Sequence, residues 1–175
     1  TTYSALVREN FKKGDKIGVV GIGGLGHMAI KLAVSKGAEV YAFTTTVAKK
    51  EDILSFGAKE VIVVDVPEKL LPYKGKLDYM ISTVPYDYDV ASYASCVKPY
   101  GNFTQVGVPI NGLLSMNNFQ MLSNRVKYST SLIGGIPETQ EVVDYCTKNN
   151  ILPQIEIIKA NEINSAWDKV VNKEA

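Results

Sequence analysis

The chain has 175 residues, 46% of them hydrophobic and 21% charged, enough apolar material for one globular domain with a sizeable core and too much for a disordered chain. A formal net charge of +1, with lysines scattered along the chain, leaves no basic stripe, so composition points to neither nucleic acid nor a membrane surface. No apolar run reaches the roughly 18 residues of a membrane span, and the opening TTYSALVREN has no signal-peptide pattern. Residues 1–10 are mildly amphipathic, with Tyr3, Leu6 and Val7 on one side, and read as a linking helix before Gly14 and Asp15 turn the chain.

Residues 16–36, KIGVVGIGGLGHMAIKLAVSK, carry the strongest pattern. Ile17, Val19 and Val20 suit a buried strand, whereas Ala29, Ile30, Ala33 and Val34 recur at helical spacing, so the period changes across the glycines between them. Gly21, Gly23 and Gly26 fit G-x-G-x-x-G. The first permits a tight turn, the second lets backbone approach a pyrophosphate, and the third lets helix pack closely on strand. With a strand before, a helix after and a second strand at residues 39–43, the stretch from Gly21 through Ile22, Gly23, Gly24 and Leu25 to Gly26 reads as a dinucleotide-binding turn. The pyrophosphate is expected at the helix N-terminus, where unpaired N–H groups and the helix dipole both favour an anion.

Further along, residues 49–56 with Gly57 as a stop read as a short helix, and the apolar run 61–64 as a strand covered on both faces. Residues 77–82 give a fourth strand, 88–97 a helix, 102–108 a fifth strand after the Pro99-Tyr100-Gly101 turn, and 128–133 a sixth. Residues 112–124 are expected to be helical in part. Pro137 opens a helix running to Lys148, with Val142, Val143 and Cys146 as its apolar stripe. Residues 155–158 look extended, and Asn161 is placed to cap a last helix carrying Ile163, Ala166, Trp167 and Val170. The alternation predicts an α/β Rossmann fold over residues 1–175: a doubly wound, six-stranded parallel sheet with helices on both faces.

Reversal of strand order after the third strand places a crevice at the carboxyl ends of the first and fourth strands. Thr83, Gly107 and the run Ser131, Leu132, Ile133 are expected to face it. The second strand decides the cofactor, because NAD-binding proteins of this architecture place an Asp or Glu at its end to accept from the ribose hydroxyls. Here Thr44, Thr45 and Thr46 stand instead, followed by Lys49 and Lys50. Three hydroxyls and a cation suit the 2′-phosphate of NADP, and a carboxylate would repel it. The missing acid also argues against an S-adenosylmethionine methyltransferase. The single histidine, His27, lies in the first turn of the glycine-rich helix and is expected to help close that turn. With Cys96 and Cys146 far apart, no zinc-type spacing exists in the chain; both cysteines are expected to be small buried helix residues of a protein in a reducing cytoplasm.

GIGGLGHMAIKLAVSKGAEV, TSLIGGIPETQEVVDYC and IEIIKANEINSAWDKV together resemble the cofactor-binding domain of zinc-dependent medium-chain alcohol dehydrogenases, in the NADP-dependent cinnamyl alcohol dehydrogenase branch. The resemblance implies that residues 21–26 hold the pyrophosphate, that Thr44, Thr45, Thr46 and Lys49 hold the adenosine phosphate, and that Thr83, Gly107 and Ser131 to Ile133 meet the nicotinamide. It further implies an excised domain, the catalytic zinc domain lying outside this sequence and the fragment alone inactive. The parent would exchange hydride between NADP(H) and a primary alcohol or aldehyde. The alternatives are a zinc-free quinone reductase of the same superfamily and a stand-alone dinucleotide-binding module. A homodimer through the edge of the sixth strand is also expected, because that strand has no proline or charge to blunt it.

Overall fold

The computed structural model describes residues 1–172. Its strands are β1 (Lys16–Val20), β2 (Glu39–Thr44), β3 (Glu60–Val63), β4 (Leu77–Ser82), β5 (Val97–Gln105) and β6 (Lys127–Thr130). All five strand pairings are parallel, and the order across the sheet is β3-β2-β1-β4-β5-β6. The helices are α1 (Thr2–Glu9), α2 (Gly24–Ser35), α3 (Lys50–Ser55), α4 (Val90–Ala94), α5 (Asn118–Asn124), α6 (Ile136–Lys148) and α7 (Ile163–Val171).

Side-chain alternation along the strands divides the core in two. Ile17 and Val19 of β1, Val40 and Ala42 of β2, and Tyr79 and Ile81 of β4 face one side, where α1 brings Leu6, α2 brings Ile30 and α3 brings Ile53. Val142, Tyr145 and Cys146 of α6 close that layer. Val20, Phe43 and Met80 face the other side, against Val90 and Ala94 of α4, Met121 of α5 and Leu70. The doubly wound sheet read from the alternation of elements is therefore the observed one.

Several local expectations change. The apolar run at 61–64 forms an edge strand, so Ile62 is buried while Val61 and Val63 are only half covered. A 3-10 segment, Pro67–Tyr73, fills the connection to β4 and was not anticipated. Strand β5 begins at Val97, ahead of Pro99 and Gly101, and its register on β4 shifts there, so those residues make an irregularity inside the strand rather than a turn before it. That shortens α4 and leaves Cys96, fully buried, in the turn between them instead of in a helix. Strand β6 starts with Lys127 and ends at Thr130, giving the edge one charge. Residues 155–158 pair with no strand, and Asn161 lies inside a 3-10 turn, Ala160–Glu162, with Glu162 as the residue preceding α7. No helix among the described residues is long and apolar enough to cross a membrane.

Candidate functional site

The carboxyl ends of β1, β2, β4 and β5 open into a cleft of about 490 Å³. Its geometry begins at the glycines. Gly21 sits at φ +81°, a conformation that side chains rarely adopt, and its N–H donates to Phe43 O at 3.1 Å, which ties the turn to the end of β2. A Cβ on Gly26 would lie 2.1 Å from Gly21 O, so the helix can start this close to the strand only with glycine there. Cβ atoms on Gly23 or Gly24 would meet nothing within 4 Å, because both face open space. No side chain caps α2, and the N–H groups of its first turn have no acceptor inside the helix. Unfilled space, unpaired donors and the positive end of a 12-residue helix together suit a pyrophosphate.

The floor is held from below. Thr83 N–H donates to Val20 O at 2.9 Å, and its hydroxyl donates to Gly21 O at 2.6 Å, joining β4 to the glycine turn. Gly107 approaches the chain just past β4 so closely that a Cβ would lie 2.2 Å from Val84 O. Gln105, buried, donates both amide hydrogens, to Val84 O at 3.0 Å and to Gly107 O at 2.7 Å. Its carbonyl oxygen then accepts from the Tyr88 hydroxyl at 2.8 Å, and because that hydroxyl has one proton, Ser82 Oγ–H donates to it at 2.6 Å. Burial pushes the Tyr88 hydroxyl well above its ordinary value and that of Tyr93 up to about 12, so both stay protonated.

At the end of β2, Thr44 is buried and its Oγ1 accepts from Thr46 N–H at 3.1 Å, so this threonine shapes the turn. Thr45 and Thr46 are exposed, and both line the cleft with Lys49, which closes a short 3-10 turn, Val47–Lys49. No Asp or Glu lines the cleft among the described residues.

Gly21, Ile22, Gly23, Gly24, Leu25, Thr44, Thr45, Thr46, Lys49, Thr83 and Gly107 thus come together in one cleft, with Gly26 just behind it. Ser131, Leu132 and Ile133 do not join them. Ser131 N–H makes a last sheet bond to Gln105 O at 3.2 Å, after which the chain leaves the sheet for α6, with Leu132 and Ile133 exposed. Sequence reasoning missed an aromatic wall of Phe43, Tyr86, Tyr88 and Tyr93, and also Val170 of α7. The signal for part of it was present: Pro85, Tyr86 and Tyr88 follow β4 directly, at the same crevice as Thr83. No group of three or more His, Cys, Asp and Glu placed to hold a metal ion occurs among the described residues.

Residues 24–148 match the zinc-binding dehydrogenase family. The chain is 40% identical over 171 residues to an aldehyde reductase of Escherichia coli, covering 98% of this chain and 49% of that protein. Against NADP-dependent alcohol dehydrogenase C 1 of Mycolicibacterium smegmatis, the identity is 37% over 171 residues, with 98% and 49% covered. The solved structure of a Helicobacter pylori CAD, complexed with NADP(H), is 40% identical and superposes with a TM-score of 0.89, covering all of this chain and 50% of that one. The chain spans about half the length of the curated relatives it matches. A match this long, on a sheet wound in this order around this glycine turn, makes the chain a member of the zinc-binding dehydrogenase family.

Proposed function

We propose that this chain is the NADP-binding half of an alcohol dehydrogenase or aldehyde reductase. The observation that carries the cofactor choice is the end of β2, where Thr45, Thr46 and Lys49 line a cleft that has no carboxylate among the described residues. The name of the M. smegmatis relative and the ligand of the H. pylori structure support the same choice.

When bound, the dinucleotide accepts or supplies a hydride. The residues of this chain hold and orient it. The N–H groups from Ile22 to Gly26 take the pyrophosphate, Thr45, Thr46 and Lys49 take the 2′-phosphate, and Thr44 keeps the two exposed threonines in place. Of the aromatic wall, Phe43, on β2, covers the adenosine side. Thr83 and Gly107 border the nicotinamide side, with Val84 and Val106 adding apolar side chains to that floor. Ser131, Leu132 and Ile133, given to the nicotinamide by resemblance, find no support in the cleft walls. We place the zinc centre in the half of the relatives' length that this chain does not span, so this half alone turns over no alcohol. The relatives' names favour an alcohol or aldehyde substrate over a quinone. The exposed edge at β6, with Ile110, Leu113 and Ile133 exposed nearby, supports a two-fold homodimer, and a cytoplasmic setting accords with two unpaired cysteines.

Calorimetry with NADPH and NADH tests the reading. NADPH is expected to bind more tightly, and Lys49→Ala to weaken it by roughly 1–3 kcal/mol, the range for hydrogen bonds to charged groups, while scarcely changing NADH. Equal affinities, or tighter NADH, would refute the assignment.

A further inference from the structure

His27 has a partner on each ring nitrogen. The backbone N–H of Gln154 points at Nε2 from 3.2 Å, so that nitrogen is the acceptor and carries no proton. The proton of the neutral ring is then on Nδ1, which lies 3.3 Å from Gly23 O. Gly23 O also accepts the first helical N–H of α2, from His27 itself at 3.0 Å. One tautomer of one imidazole therefore bridges the glycine turn to a segment 127 residues away in sequence. One helical turn further, Lys31 Nζ donates to Leu152 O at 2.8 Å and lies 5.1 Å above the ring of Phe56. The His27 ring packs against the same phenyl group at 5.8 Å.

The segment held in this way, residues 152–159, has no helix or strand of its own and leads into the turn before α7. That helix buries none of its residues, and Trp167 is 69% exposed. Yet Val170, near its end, forms part of the cleft wall. α7 thus stands at the cleft with little burial of its own, and the chain leading into it is fastened to α2 at residues 152 and 154.

We propose that His27 is a positioning residue for the dinucleotide: with Lys31 it anchors residues 152–154 to α2, and so keeps α7 as a wall at the cleft that slows release of the bound ligand. This rests on the reading of the cleft as a dinucleotide site. The tether has two ends that can be cut separately. His27→Ala removes the acceptor, and Gln154→Pro removes the donor while leaving the glycine-turn end intact.

Three measurements on the full chain decide it. A scalar coupling across the hydrogen bond, between the Gln154 amide nitrogen and His27 Nε2, is expected in the NMR spectrum and should vanish in His27→Ala. NADPH release followed by stopped-flow fluorescence is expected to speed up about three- to tenfold in each variant, the loss of one ordinary hydrogen bond, with no further gain in the double variant. The urea slope of Gln154→Pro should stay at the wild-type value and its midpoint should fall no further than that of His27→Ala, which separates loss of the one shared bond from general destabilisation. Absence of the coupling in the wild type, or unchanged release in Gln154→Pro, overturns the proposal. If the wild-type chain binds neither NADPH nor NADH, the cofactor reading fails and the proposal with it, a result distinct from normal binding with unaltered release.

Discussion

Gly24 and Gly26 lie two residues apart in the first turn of α2, and substituting alanine at each should give opposite results. Alanine is the better helix former by about 0.8–1.0 kcal/mol, so a glycine whose side-chain position is open should gain stability from the change. At Gly24 the added methyl meets nothing within 4 Å. At Gly26 it meets Gly21 O at 2.1 Å, against the 3.0 Å below which real contacts essentially do not occur, and the neighbour is backbone that no rotamer can move aside. Opening that gap displaces the turn at Gly21 and stretches the 2.6 Å bond from the Thr83 hydroxyl, worth about 1 kcal/mol, on top of about 1–3 kcal/mol for overpacking. After the propensity gain is subtracted, Gly26→Ala is expected to lose about 1–3 kcal/mol, and Gly24→Ala to be neutral or slightly stabilising. Urea unfolding, with the slope compared to exclude a changed denatured state, measures both. Gly24→Ala should still weaken NADPH, because its methyl projects into the cleft. A stabilised Gly26→Ala would refute the claim that helix and strand are in contact at this carbonyl.

Burial pushes the Asp78 carboxyl up, but the Lys98 ammonium and the Lys16 N–H, 2.7 Å away, outweigh this and hold it below its ordinary 3.8. A depressed carboxylate stabilises the fold above that ordinary value and stops doing so as pH falls through the lowered one, so Asp78→Asn should cost about 1–3 kcal/mol at neutral pH and progressively less below about pH 4; a cost constant from pH 7 to 2 would contradict this. Burial also raises the Cys96 thiol to about 12, whereas Cys146 is only partly covered and less shifted, so a disulfide reagent should titrate one thiol in the native chain and two in urea; a native Cys146→Ser variant that still reacts would show the burial to be misjudged. In β6, Ser131 N–H points at β5, so by alternation that of Ser129 does too, and those of Tyr128 and Thr130 point outward. If the chain forms the proposed dimer, Thr130→Pro should therefore convert it to a folded monomer in sedimentation equilibrium, while Ser129→Pro damages the sheet itself; a wild-type chain that is monomeric at micromolar concentration rejects the dimer.

Wherever local chemistry decided structure, the sequence was readable. The change of period across Gly21 to Gly26 located β1, the turn and α2, and the run of threonines with no acid located the end of β2. What escaped was set by distant partners. Nothing near residues 61–64 says that they form an edge strand, because that depends on no further strand pairing beyond them among the described residues. The run at Ser131 to Ile133 has strand-like residues, but its partner β5 ends at Gln105, and a strand needs its neighbour as much as its own propensity. His27 was expected to close its turn, and its Nδ1 lies within reach of Gly23 O to do so. Its other nitrogen was illegible, since Gln154 lies 127 residues away in a segment with no pattern.

The linkage from Ser82 through Tyr88 to Gln105 runs in a single direction, each proton assigned by the acceptor that follows it. Turning the Gln105 amide over would set its NH₂ group against the Tyr88 hydroxyl and two carbonyl oxygens against its oxygen, so the arrangement has no second state of similar energy. A wall that cannot rearrange costs a ligand no entropy for ordering it on that side. On the opposite side stands α7, whose lead-in segment is tied to α2 by two hydrogen bonds and which buries none of its own residues. One cleft would then have a wall ordered before the dinucleotide arrives and a wall completed around it, so that substitutions near Gln105 should add an ordering cost the wild type lacks, and substitutions along the tether should chiefly shorten how long the dinucleotide stays.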